Sequence, residues 1–306
     1  MDPEPLVVAT PRGLYCPPGD FYIDPARAVQ TAVITHGHGD HLRPGHARYI
    51  LARPGLGIAR TRLPGKPDIL AVEHGAVVTL GAATVSLHPA GHILGSAQVR
   101  IEHQGRVWVV SGDYKRQPDP TCAAFEPLPC DVFISEATFA LPNYRWPPVA
   151  AVIEEILTWW QANRDRGLAS VLYCYALGKA QRLLAELSAF TTEPVYLHGS
   201  MGELVEVYRD AGIALPPTRS ATPRRKEDLG GALVLAPPSA AGTSWIRCVG
   251  EHSSGFCSGW MQTRGPPHGC DRGFVLSDHA DWPALVETCL ETAARRVLLM
   301  HGRSDA

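Results

Sequence analysis

The chain has 306 residues, 45% of them hydrophobic, and a formal net charge of −2. That length supports one large or two modest domains with a sizeable core, and the even charge balance carries no global signature of a polyanion-binding protein. No apolar run is long enough to cross a bilayer, and the opening MDPEPLVVATPRG lacks a basic segment followed by an apolar one. The eight cysteines form no C-x-x-C pair. Together these features predict a cytoplasmic protein with reduced, mostly core thiols, and argue against a zinc ribbon or a disulfide framework.

The first informative stretch is ITHGHGDHLRPGH, Ile34 to His46, where four histidines and an aspartate fall just after the apolar run Ala32-Val33-Ile34. The cluster therefore sits at the carboxyl end of a predicted buried strand. Alternate positions of an extended loop project to opposite sides. His36 and His38 can converge on one metal ion while Asp40 and His41 address a second, and Gly37 and Gly39 let the backbone turn tightly beneath. Neutral imidazole and carboxylate suit zinc, manganese or iron. Downstream, Leu42 to Pro67 contains no Asp or Glu but holds Arg43, Arg48, Arg53, Arg60, Arg62 and Lys66. Such a local excess of cations suits phosphate contacts.

Residues 69 to 136 read as strands in quick succession. ATVSLHPA (83–90) and AQVRIEH (97–103) alternate apolar and polar positions, and RVWVVSGD (106–113) and DVFISEA (131–137) are nearly continuous apolar runs. The pattern then changes. Helical spacing begins after Pro147-Pro148 and stops near Gly167. A strand at 170–175, a helix at 178–190 and a strand at 194–199 follow. Ser200 and Glu203 have capping-box spacing for the next helix, and 232–237 and 245–249 look like further strands. This βα alternation predicts a small parallel-sheet domain over 148–269. GFVLSDH (273–279), a helix near 282–293 and RVLLMHG (296–302) return to the earlier style. Residues 1–147 and 270–306 are thus expected to form one discontinuous domain that the other interrupts.

Further ligands stand at other strand ends: His92 after SLHPAG, Asp113 closing RVWVVSGD, and His301 closing RVLLMHG. One carboxylate offers two oxygens, so Asp113 can bridge two ions. The expected first site is His36, His38, His92 and Asp113, and the second is Asp40, His41, Asp113 and His301.

H-x-H-x-D-H with a later His, an Asp after Gly and a terminal His resembles the metallo-β-lactamase fold. SEATF, LSDHAD and LLMHG resemble motifs A, B and C of its β-CASP nuclease branch. GLYCPPGDFYIDP, HPAGHILGSAQV, VVSGDYKR, YRWPP and YALGKAQRLL resemble the bacterial ligase-associated DNA exonuclease group. The resemblance implies an αββα sandwich with an inserted small α/β domain. It implies two divalent metal ions, zinc or manganese, and a nuclease that hydrolyses DNA phosphodiester bonds, with a functional link to an ATP-dependent DNA ligase. The histidine at motif C also resembles RNA-cleaving branches, so an RNA substrate stays open, and a small-molecule thioester or lactone hydrolase is a more distant alternative. On the same resemblance, Asp40 orients the nucleophile, Glu136 fixes a ligand imidazole, and His279 donates to a phosphate oxygen. Asp24 in YIDP either supports a ligand or is purely structural. Lys115, Arg116, Lys179 and Arg182 are the expected phosphate contacts.

Overall fold

The computed structural model describes residues 4–221 and 229–300. It divides into two compact units, Met1–Pro142 with His279–Ala306, and Asn143–Asp278. Among the described residues no helix is long and apolar enough to cross a membrane.

The first unit carries two six-stranded sheets. One is made of β1 (Val8–Thr10), β2 (Gly13–Cys16), β3 (Phe21–Ile23), β4 (Thr31–Val33), β5 (Arg48–Ala52) and β6 (Ile69–Val72), in chain order. Helix α1 (Leu56–Arg62) lies between β5 and β6 in the chain. The second sheet contains β7 (Val77–Leu80), β8 (Ala83–Pro89), β9 (Ala97–His103), β10 (Arg106–Val110), β11 (Val132–Glu136) and β18 (Arg296–Met300). Its spatial order is β18-β11-β10-β9-β8-β7. The inner faces of the two sheets share a core, with Phe21, Ile23, Val33 and Ile50 from the first and Val85, Leu87, Val99, Ile101 and Ile134 from the second. Each such apolar side chain contributes about 1.5–3 kcal/mol when fully buried. On the outer face of the first sheet, Ala32, Tyr49 and Leu51 pack with Ala59 and Leu63 of α1 and its end. On the outer face of the second, Val109 and Phe133 pack with Leu285 of α6 (Trp282–Glu291). The Asp281 side chain caps α6 by accepting from Ala284 N at 3.1 Å.

The second unit is built on one sheet: β12 (Ala169–Tyr173), β13 (Val195–Leu197), β14 (Thr218–Ser220), β15 (Leu233–Ala236), β16 (His252–Cys257) and β17 (Arg272–Phe274). They lie in the order β14-β13-β15-β12-β16-β17, and every neighbouring pair is parallel. Helices α2 (Val149–Arg164), α3 (Lys179–Leu187), α4 (Gly202–Asp210) and α5 (Met261–Arg264) complete it. Ile153, Ile156 and Trp160 of α2 and Leu183 and Leu187 of α3 pack on Leu172, Leu235 and Phe274 of the sheet.

Several local expectations are corrected. Residues 245–249 form no strand, because Ser244–Cys248 is a 3-10 turn. The strand falls instead at the polar stretch His252–Cys257, where Gly255 fits because a Cβ there would lie 2.8 Å from the Phe274 ring. Ser200 and Glu203 form no capping box. Ser200 N donates to His198 Nδ1 at 3.2 Å in a 3-10 turn, and α4 starts at Gly202 with no side-chain cap. The run from 273 does not return to the first unit at once, because Gly255 and Phe256 of β16 pair with Arg272 and Gly273. Tyr144 packs edge-on against Trp260. The compact units divide at 142/143 and 278/279, where the sequence pattern sets 147/148 and 269/270. Of the thiols, Cys16, Cys174 and Cys257 are buried, Cys248 is exposed, and the others are intermediate.

Candidate metal centre

β8 and β9 are antiparallel, as are β9 and β10, whereas β10, β11 and β18 are parallel. The carboxyl ends of β8, β10 and β11 therefore share one edge of the second sheet, and each delivers a polar residue there: His92, Asp113 and Glu136. The first sheet reaches the same edge through β4, which is flanked by β3 and β5 on both sides. Ala97 N donates to Thr35 O at 2.8 Å, tying the end of β4 to the start of β9.

Four side chains converge at this point. His38 Nδ1 lies 3.0 Å from His36 Nε2 and 3.1 Å from His92 Nε2. Asp113 Oδ2 lies 3.6 Å from His36 Nε2 and 3.9 Å from His92 Nε2. These four residues present ligand atoms within 4.8 Å of one another. The spacing fits a common cation, since two nitrogens each ~2.1 Å from a tetrahedral zinc stand about 3.4 Å apart. Burial, followed by the neighbouring imidazoles His41, His92, His38 and His279, holds His36 well below the usual histidine pKa. The neutral ring keeps a lone pair for a metal.

Asp113 Oδ2 also lies 3.6 Å from His41 Nε2, and His41 Nε2 is 3.6 Å from Asp40 Oδ2. Asp40, His41 and Asp113 thus come together as a second set that shares Asp113 with the first. Asp113, Glu136 and His279 form a further group with ligand atoms within 4.8 Å. The sequence places His301 in the second set, but that residue lies outside the described residues.

The supporting bonds are as specific as the ligands. Asp24 Oδ2 is 2.7 Å from His41 Nδ1 and accepts from Thr35 Oγ1 at 2.6 Å, while Asp24 Oδ1 accepts from Thr35 N at 2.8 Å. Asp24 therefore fixes the ring of His41 with Nε2 toward Asp113. Burial opposes charge on His41, but the carboxylates of Asp24, Asp113 and Asp40 together outweigh it and raise the pKa to about 9. Asp24 itself has φ +44°, a left-handed backbone that costs an L-residue about 1–2 kcal/mol. Replacing Asp24 with alanine should weaken metal binding by roughly 10–100-fold, measured as zinc affinity in competition with a chelator. Unchanged affinity would show that the ring needs no orienting carboxylate.

Glu136 is fully buried, and its Oε2 is 2.9 Å from His279 Nδ1. Burial alone would raise its pKa, but His279, with donors from Thr138 and Tyr114 N, holds the carboxyl below its usual range. His279 Nδ1 is engaged in this way, and the ring lies 4.7 Å from that of His92. Sequence reasoning passed over Thr35 and the Ser96 hydroxyl, which accepts from His92 N at 3.0 Å. The only sign of Thr35 was its place immediately before His36. Gly37 and Gly39 do not supply the expected turn by unusual conformation, since neither is among the glycines with positive φ.

The four cations expected at phosphates have partners within the protein. Lys115 is 1% exposed and pairs with Asp119. Lys179 is 2% exposed, donates to Leu276 O at 2.8 Å, and lies 2.9 Å from Asp278 Oδ1. Arg182 is fully buried and donates to Ser277 O at 2.6 Å. Arg116 Nη1 donates to Thr288 Oγ1 at 2.8 Å and to Glu291 Oε2 at 2.7 Å. Lys115, Lys179 and Arg182 are thus turned to buried partners within their own units, while Arg116 stays partly exposed beside Glu291. Arg43, Arg48, Arg53, Arg60, Arg62 and Lys66 are all exposed, with Arg48 3.8 Å from Asp68 Oδ2 and Arg53 paired with Glu73, and Arg62 reaches to 3.0 Å from a Cβ built at Gly39.

No family model matches the chain. Among curated proteins it is similar to a probable DNA ligase of Opitutus terrae, 32% identical over 305 residues, covering 97% of this chain and 29% of that protein. It is also similar to the endoribonuclease YSH1 of Gibberella zeae, 30% identical over 129 residues, or 40% of this chain and 15% of that one. Ribonuclease TTHA0252 of Thermus thermophilus is 25% identical over 225 residues, 63% of this chain and 49% of that one. The chain thus spans less than half the length of each of these relatives. Among solved structures, a protein of unknown function from Enterococcus faecalis matches with a TM-score of 0.59 at 12% identity. That match covers 89% of this chain and 75% of the other, and it speaks to the fold alone.

Proposed function

We propose that the chain is a metal-dependent nuclease of the metallo-β-lactamase fold, in its β-CASP branch, acting as an exonuclease on DNA ends in repair. The observation that carries this reading is the placement of Asp113 Oδ2 at 3.6 Å from both His36 Nε2 and His41 Nε2, one carboxylate between two imidazole sets. His36, His38, His92 and Asp113 would hold one divalent ion, and Asp40, His41 and Asp113 a second, with His301 as a further ligand to it. Zinc or manganese in those positions would supply positive charge to the phosphoryl oxygens and lower the pKa of the attacking water.

The chain's own residues set the geometry. Asp24 and Thr35 hold His41, so its Nε2 faces Asp113. With Nδ1 donating to Glu136, the protonated ring of His279 would donate from Nε2 to a phosphoryl oxygen as negative charge develops there. Asp40, exposed in contrast to the histidines, would accept from the attacking water. The run Arg43 to Lys66 offers exposed cations for the flanking backbone phosphates.

Support for DNA comes from the probable DNA ligase that aligns over 97% of this chain, which also suggests a functional link to a ligase. Support for RNA as the second reading comes from the ribonuclease-named relatives. Digestion of end-labelled single- and double-stranded DNA and matched RNA across a zinc and manganese series separates them. The expected result is stepwise shortening of DNA from one end, abolished by a chelator. Cleavage of RNA alone would replace the DNA reading, and cleavage of neither would overturn the proposal.

A further inference from the structure

Asp113 is not held by regular secondary structure, since β10 ends at Val110 and the chain leaves the sheet as an irregular strap. Residues just beyond Asp113 fix that strap. Tyr114 N donates to Glu136 Oε1 at 2.6 Å, and Tyr114 O accepts from Ala280 N at 2.7 Å. Lys115 N donates to Ala90 O at 3.1 Å. Gly91, at φ +72°, approaches so closely that a Cβ there would fall 2.4 Å from Lys115 O. The strap thus touches the loop that carries His92, the carboxylate that engages His279, and the residue after His279.

The side chain of Lys115 is turned inward, 1% exposed, and paired with Asp119. Asp119 Oδ1 in turn accepts from Thr121 N at 2.8 Å and from Thr121 Oγ1 at 2.6 Å. Two charges withdrawn from water are poor stabilisers compared with an apolar pair of similar volume. Such a pair does impose direction: it closes the turn 115–119 and fixes the backbone two residues from Asp113. We infer that the Lys115–Asp119 ion pair is a positioning pair for Asp113 and sets the affinity of the centre for divalent metal. This inference rests on the reading of the site as a metal centre.

The test compares wild type, Lys115→Met, Asp119→Leu and the double variant. Each is stripped of metal, then titrated with zinc or manganese against a chromophoric chelator, with Tm recorded on the metal-free protein. Either single change leaves one buried charge alone and lowers stability along with affinity. The double change removes both charges and separates the two effects. The expected double variant has a Tm at or near wild type and binds metal roughly tenfold more weakly. A double variant with wild-type affinity overturns the inference and leaves the metal centre standing, whereas a wild-type protein that binds neither ion overturns both. Should the double variant stay unstable, Lys115→Arg decides. Affinity well above that of Lys115→Met supports a role for the charge pair, and affinity no better than Lys115→Met overturns it.

Discussion

Replacing Asp113 with alanine should lower metal content and nucleic-acid cleavage together, by more than about 100-fold. Loss of a supporting partner costs 10–100-fold, and Asp113 contacts the centre directly. Its carboxylate belongs to both groups of ligand-bearing side chains, so the change removes a contact from each. Metal analysis of the purified variant, paired with end-labelled cleavage assays, reads both quantities. Circular dichroism controls for folding. If the variant retained two equivalents of metal and wild-type cleavage, Asp113 would not be the shared ligand.

The second large effect concerns Gly112, which has no polar side chain at all. It sits at φ +57°, and a Cβ there would lie 2.6 Å from the Cβ of Thr35. Alanine at this position carries a left-handed backbone penalty of about 1–2 kcal/mol and an overpacking cost of about 1–3 kcal/mol. The neighbour that must give way, Thr35, also donates to Asp24 and precedes His36. Gly112→Ala should therefore lower Tm by roughly 5–15 °C and weaken metal binding as well. Calorimetry on the metal-free protein checks the first effect and chelator competition the second. A Tm equal to wild type would mean that the two loops are free to separate.

The ligand-bearing loop was legible because its chemistry is dense and local. His36, His38, Asp40 and His41 fall within six positions, and the apolar run before them marks a strand end. The reach to His92 and Asp113 was legible because each also follows an apolar run, and strands that share an edge bring such residues together. Burial of charge was not legible. Lys115, Lys179 and Arg182 read as surface cations in any one-dimensional pattern, since their carbonyl and carboxylate partners are set by tertiary packing. The strand at His252–Cys257 escaped notice for the opposite reason, because HSSGFC has little apolar character and is a strand only through pairing with β12 and β17. Nor does alternation within 272–274 say which sheet a strand will join.

The position of β18 has a consequence for how the chain is made. This strand pairs with β11, although more than 150 residues separate them in the sequence, and the second unit lies within that interval. During synthesis from the amino end, the second unit is a contiguous segment and can finish its parallel sheet early. The first unit must wait with one sheet incomplete and the edge of β11 bare until residues 296–300 emerge. In that interval the nascent protein exposes an unpaired strand next to the edge that gathers His92, Asp113 and Glu136, a vulnerable stage for chaperone engagement or misassembly.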